Sequence, residues 1–356
     1  MNTNPLHSDG RPATNRADTY YGMSPVKPSY YHLKTALSYY AEALGAGPQL
    51  LAAVIELVGE PGDRSLTRIG RYLALGSSLA APGLLVSELH TPQRWFNMLR
   101  IYRPTSPMSI GNMSLTAFGL LSAAAAAGQL VEDLGYAKPG RWVGRILSVP
   151  SALAATMVCL YTGAELQETC TPLWASARPL LTPLFGVTAV ATGTAGLIMA
   201  ATIAKTPAGS LRRAEQFSLI VHGLQVVLVK IVESNWRRLP STRSFRDSRH
   251  ALTWRYGILG LGTLFPLGLR LQRQWAGRSS TGGSLAASAA SLAGGFFVYA
   301  TTLEAGNQSA AEATDYFEST SPHSPSPRGR LAIVGFSVLA AVGLALFFRR
   351  KGDKGS

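Results

Sequence analysis

Residues 88–111 read ELHTPQRWFNMLRIYRPTSPMSIG. Three prolines (Pro92, Pro104, Pro107), three arginines (Arg94, Arg100, Arg103) and Gly111 are spent where a simple reversal would need none of them. Proline fixes φ and keeps the preceding residue out of the helical region, so the stretch follows a defined path. A short amphipathic helix is expected over 93–101, with Trp95, Met98 and Leu99 on one side. Trp95 and Tyr102 suit a membrane–water interface, and the arginines suit headgroups or acidic partners. An ordinary anchored loop would look much the same, so the reading turns on the long apolar runs to either side.

Those runs set the fold class. The chain has 356 residues, 47% hydrophobic and 15% charged, against about 25% charged in a soluble domain. Runs of roughly 18 or more apolar residues match the ~30 Å hydrocarbon core of a bilayer. Nine are counted: 37–58, 69–89, 109–130, 146–167, 180–204, 217–232, 251–269, 284–302 and 331–348. The sixth is short and the eighth is rich in Ala, Gly and Ser, a composition that close helix packing in lipid favours. An all-α polytopic membrane protein is expected. The first 36 residues are polar and hold no signal-peptide core, so the first span is expected to be retained. A Pro/Ser linker at 318–330 leads to the ninth span and a basic tail at 349–356.

The net charge of +14 raises nucleic acid as a partner. The Lys and Arg residues lie between spans, however, not in one face or stripe, so lipid headgroups and orientation explain them better. Setting aside the basic segment 230–255, the loop charges favour an outside N-terminus and a cytoplasmic C-tail. Two cysteines cannot ligate an iron–sulfur cluster, and of six histidines only His222 lies within a span. Neither a haem nor a metal site is therefore expected, and any redox centres belong to partners.

Ionisable residues inside the apolar runs cost at least about 2.5–3.5 kcal/mol each at the bilayer centre and point to function. Glu42, Glu56 and Lys230 lie near span ends, where reaching headgroups or water would suffice; His222 and Gln225 share the sixth span with Lys230. Glu165 follows Tyr161 by one helical turn, so the two project on one face. By alternation of spans, Glu88 lies on the same side of the membrane.

At these residues the chain resembles the NrfD/PsrC family, the integral membrane subunits of polysulfide reductase-like complexes. The block runs from an acid through Pro92, Arg94, an aromatic and Asn97-Met98-Leu99-Arg100. It continues as Pro104-x-Ser106-Pro107-Met108-Ser109-x-Gly111. YYGMSPVKPSYYHLK (20–34) is similar to the segment before the family's first helix, and LGAGPQLLA (44–52) to its Gly-rich continuation. YTGAELQETCTPLWASARPLLTPLFG (161–186) resembles its Tyr-x-Gly helix end followed by Pro-x-Trp. EAGNQSAAEATDYFE (304–318) resembles the block after its eighth span.

The resemblance implies an eight-helix domain over 37–317, arranged as two four-helix bundles, with the ninth helix added. It implies a bacterial inner-membrane subunit that exchanges electrons between the quinone pool (menaquinone or ubiquinone) and a ferredoxin-like iron–sulfur partner. A molybdopterin or multihaem cytochrome subunit would complete the assembly. Tyr161 stands where the family's tyrosine contacts quinone, and Glu88 or Glu165 would take the proton. Aligning the Gly-rich run puts Ser38 at a position where a ring-bearing residue contacts quinone, with Tyr39 one step away. GGFFVYATTLEAG (294–306) lacks the arginine usual near the eighth span. These two departures keep a second reading open, a structural or proton-translocating anchor without quinone. A solute transporter is a third, although no matching pair of interrupted spans in two halves supports it.

Overall fold

A computed structural model describes residues 24–246, 248–276 and 280–320. The expected linker beyond residue 320, the ninth span at 331–348, the basic tail and most of the polar N-terminal segment lie outside the described residues. Within them the protein is all-α, and no strand is present among the described residues.

Seven long helices carry the fold: α1 (Leu33–Val58), α2 (Arg64–Glu88), α4 (Pro107–Asp133), α5 (Ala137–Gln167), α7 (Leu181–Ile203), α8 (Ala208–Arg238) and α12 (Thr281–Ala311). Between α8 and α12 runs an eighth, composite rod. It comprises α10 (Arg249–Leu252), a π-helical stretch over Thr253–Leu264, and α11 (Phe265–Ala276). Short helices fill the connections: α3 (Asn97–Arg100), α6 (Pro172–Ser176), α9 (Arg243–Arg246) and α13 (Ala313–Thr320).

Among the described residues six helices are long and apolar enough to cross a membrane: α2, α4, α5, α7, α8 and α12. The runs at 217–232 and 284–302, which look weak as sequence, are the centres of two 31-residue helices. Two expected spans are not among the six. In α1 the apolar stretch is diluted by Glu42, Gln49 and Glu56, and the run at 251–269 is divided among α10, the π stretch and α11.

Small residues let the rods approach. A side chain at Gly193 of α7 would fall 2.4 Å from Pro48 of α1, and one at Gly294 of α12 would fall 2.1 Å from the backbone of Gly262 in the π stretch. Without an apolar driving force between helices in lipid, such close approach supplies the dispersion contacts that hold them. Helix α1 packs against α2, α5, α7 and α12, while α7 packs against α5, α8 and α12. The chain entering α1 is pinned to the end of α12. Asn307 Oδ1 accepts from Ser29 N–H at 2.9 Å, and Asn307 Nδ2 donates to Tyr31 O at 2.8 Å. Alternation of the rods therefore sets the start of α1, the ends of α2, α5, α8 and α12, and the 88–111 loop on one side.

The loop itself is a 3₁₀ turn at Pro92–Arg94 followed by α3, not one continuous helix over 93–101. Its apolar side chains face outward: Trp95, Phe96, Leu99, Ile101 and Tyr102 are all exposed. Pro107 opens α4 at its first turn, where a missing N–H costs nothing, and Ser106 caps it by accepting from Ser109 N–H.

Candidate functional site

Glu165, near the end of α5, is buried and accepts two phenolic hydrogen bonds. Tyr31 O–H donates to Oε1 at 2.9 Å, and Tyr39 O–H to Oε2 at 2.8 Å. Tyr161, one turn earlier on α5, shares the same carboxylate. Three phenols from the α1 entry, α1 and α5 thus converge on one acid, and no cation pairs with it among the described residues. Burial, then the adjacent Glu165 carboxylate, holds the Tyr31 phenol well above its ordinary pKa. It stays a neutral hydrogen-bond donor across the physiological range.

The second acid stands beside this cluster. Glu88, at the end of α2, accepts from the Thr35 hydroxyl on α1, and its charge is felt at Tyr31. Neither acid is matched by an arginine or lysine among the described residues.

The loop motif reaches the cluster through Gly111. A Cβ there would fall 1.8 Å from Tyr161 Cζ, so the first turns of α4 lie flat against the tyrosine ring only because this residue is glycine. Pro107 and the Ser106 cap fix where that turn starts. The remaining loop residues stay outside the cluster. Arg94 and Pro104 are exposed, and Arg100 Nη2 donates to Asn97 Oδ1 at 3.5 Å on the surface of α3.

The α1 alternatives separate cleanly. Tyr39 is in the cluster. Ser38 is fully buried and donates to Ala81 O on α2 at 3.1 Å, a contact that joins two helices. One turn further along α1, Glu42 is only 3% exposed and lies beside Ser38 inside the protein. Its expected reach to headgroups is therefore wrong, because the helix face it occupies is the packed one. Glu56 is likewise engaged within the protein, accepting from the buried Arg71 at 3.1 Å.

Two aromatic residues line the cluster, Tyr299 and the tryptophan of the Pro-x-Trp block, Trp174. Tyr299 of α12, inside the arginine-less GGFFVYATTLEAG block, is buried with its ring 6.4 Å from Tyr39 and 5.1 Å from Phe185. Trp174 of α6 packs 6.2 Å from Tyr31 and donates Nε1–H to Thr302 O at 2.8 Å. Tyr31 was within the quoted motif but had no reason to be singled out. Its position depends on Asn307, 276 residues away.

A second buried polar group lies deeper, between α8, α11 and α12. His222 Nε2 meets Ser291 Oγ at 2.9 Å, and its Nδ1 lies 2.8 Å from Ser218 O. Arg270, 1% exposed, donates to the Ser218 and Ser288 hydroxyls, and its Nε has no partner. Toward the far side, Glu215 accepts from Arg273 at 2.8 Å and from Ser284 at 2.7 Å. Cys159 is buried and Cys170 exposed, both free. Among the described residues no group of three His, Cys, Asp or Glu side chains is placed to hold a metal.

The family model described as "Polysulphide reductase, NrfD" matches residues 26–311, more than half of the chain. No curated protein matches it.

Proposed function

The chain belongs to the NrfD polysulphide reductase family of membrane subunits, and from that premise we propose that it is the quinol-interacting anchor of a multi-subunit oxidoreductase. On this reading α1, α2, α4 and α5 form one four-helix bundle, and α7, α8, the composite rod and α12 form the other. Quinol approaches the phenol–carboxylate cluster from the membrane. Tyr161 hydrogen-bonds one quinone oxygen, with its ring held by the α4 turn at Gly111. The quinol O–H bond breaks, its proton passes to Glu165, and Glu88 serves the second. Two electrons leave for a ferredoxin-like iron–sulfur partner seated on the same side, over the exposed 88–111 loop. That partner passes them to a molybdopterin or multihaem subunit. The protein has multiple membrane spans, and a bacterial inner membrane is the setting proposed for it.

One observation carries the reading: Glu165 is buried, held by phenols and unpaired with any cation among the described residues. A carboxylate paired with arginine is locked in its charged form. One bonded only by hydroxyls can both accept and release a proton, which general acid–base chemistry requires. The test is quinol-dependent reduction of the partner's clusters in the assembled complex. Tyr161→Phe and Glu88→Gln should each impair it, and unchanged turnover in both overturns the assignment.

The cluster around His222 and Arg270 favours an accompanying role. Buried polar groups with unsatisfied atoms in lipid call for water or a transferable proton, so proton translocation through the second bundle is a natural companion activity. Complex reconstituted in vesicles should then release more protons per electron than quinol chemistry alone supplies. A ratio equal to the chemical one removes this role and leaves the quinol site intact.

A further inference from the structure

The outward face of α8 is a single stripe. Ile220, Gly223, Val227, Lys230, Ser234 and Arg237 recur every three or four residues, so they share one side of the helix. Ile220 and Val227 are exposed, and between them Gly223 presents open space where a side chain would project. From Lys230 onward the stripe turns basic. Lys230, Glu233, Ser234, Arg237 and Arg238 line a surface cavity of about 390 Å³.

Charge in this cavity is unbalanced. Glu233 is its one acid, and it already accepts from Lys230 Nζ at 3.0 Å, Arg237 Nη2 at 2.8 Å and Arg255 Nε at 3.1 Å. Arg238 makes no hydrogen bond or ion pair among the described residues. Three lining cations, with Arg255 reaching in from the next rod, therefore stand against one carboxylate, and the surplus lies at the end of the apolar stripe. Depth decides what the surplus meets. Lys230 is eight residues short of the end of α8, roughly 12 Å along the axis at 1.5 Å per residue, on the same face as Val227 and Ile220. A soluble protein resting on the helix ends would cover Arg238 but not Lys230. A lipid headgroup sits at that depth, and cations flanking a membrane helix are the groups that attract anionic headgroups.

We propose that this face of α8 seats one anionic phospholipid. Its phosphodiester lies against Lys230, Arg237 and Arg238, and an acyl chain lies along Val227, Gly223 and Ile220. Exposed Leu252 and Tyr256 flank it from the next rod, which Arg255 ties to Glu233. The site is separate from the phenol–carboxylate cluster and does not depend on the quinol reading.

The experiment uses the full chain in its complex, purified in mild detergent. Wild type should retain phosphatidylglycerol in preference to phosphatidylcholine by native mass spectrometry. Its thermal midpoint should rise when phosphatidylglycerol is returned, but not on adding inorganic phosphate. The Lys230→Gln/Arg238→Gln double variant leaves Arg237 and Arg255 on Glu233, and it should lose both the retention and the response while quinol turnover stays unchanged. Equal retention in the variant overturns the proposal. So does an equal response to inorganic phosphate, which would make this a free-anion site. Loss of the iron–sulfur partner with lipid retention unchanged would also overturn it, by marking an acidic protein surface. If the double variant fails to assemble, wild type alone decides: equal adducts of phosphatidylglycerol and phosphatidylcholine refute a selective seat.

Discussion

The phenol cluster and the opposite end of the membrane domain treat their carboxylates in opposite ways. On the cluster's own side, Glu233 and Glu304 at the ends of α8 and α12 are ion-paired and stand apart from it. At the end holding the start of α1, Glu165 and Glu88 are bonded only by hydroxyls, from Tyr31, Tyr39 and Thr35. At the other end, every prominent acid has an arginine. Glu56 has Arg71 at 3.1 Å, Asp63 has Arg213 at 3.0 Å, and Asp133 has Arg68 at 3.0 Å. Glu132 has Arg64 at 3.2 Å and Arg141 at 3.4 Å, and Glu215 has Arg273 at 2.8 Å. The contrast separates two uses of the same functional group. Paired with a guanidinium, a carboxylate is a fixed charge that fastens helices. Held by phenols, it is bonded by neutral donors and carries no ion pair among the described residues.

The contrast can be broken by experiment, beginning with its sharpest point. Glu165→Gln keeps the size and hydrogen-bonding capacity but removes the carboxylate proposed to take the quinol proton. Quinol oxidation in the assembled complex should fall by about 10²–10⁴-fold, the usual weight of a general base. A loss within twofold, measured by stopped-flow reduction of the partner's clusters, would mean that the phenols and not the acid do the chemistry.

Arg71→Gln probes the other end. It strands Glu56 in a mostly buried setting and should cost about 3–5 kcal/mol of stability, as removing one partner of a buried pair does. The loss should be read as a lower thermal midpoint, with turnover per surviving complex unchanged. A turnover defect would show that the two ends are coupled.

Tyr31→Phe removes one of the three phenols. A single hydrogen bond contributes about 1 kcal/mol, so a loss of roughly fivefold in quinol turnover is expected. Normal stability is expected with it, since Asn307 still holds the backbone.

The smallest effect belongs to Arg213→Gln. Although burial alone would raise Asp63, its hydrogen bonds from Arg213 and Ser210 bring it below the ordinary range. That contribution is present above the unfolded value near pH 4 and is lost as pH falls through the lower folded one. The partly exposed arginine limits it to about 1 kcal/mol. The variant should unfold slightly more easily at pH 7, and acid below about pH 4 should weaken it less than it weakens wild type.

How much of this was legible in the sequence depends on how local each signal is. Tyr161 and Glu165 are one turn apart on one helix, so their common face follows from geometry alone. Gly111 was marked by its motif, although its reason, the ring of Tyr161 against its Cα, is a tertiary contact. Tyr31 lies outside any apolar period and is placed by α12. Glu42 was misjudged because hydrophobic periodicity cannot tell a lipid-facing stripe from a packed one when both are apolar. Arg270 sits one residue beyond the run at 251–269, where a terminal cation would be expected to meet water. Instead it is drawn fully inside. The connections, rich in proline, were read as constrained, but the division of 93–101 into a 3₁₀ turn and a single α turn was not.

The twelve-residue π-helical stretch over Thr253–Leu264 has a consequence for that arginine. Whatever lies downstream is aimed by the number of residues wound into the wider coil. Excising one residue there would swing everything after it by roughly a quarter of a turn about the axis. That turn would point the Arg270 guanidinium away from Ser218 and Ser288, toward hydrocarbon. Length in this segment thus matters as much as identity does elsewhere, and a deletion of one glycine would do more harm than most substitutions.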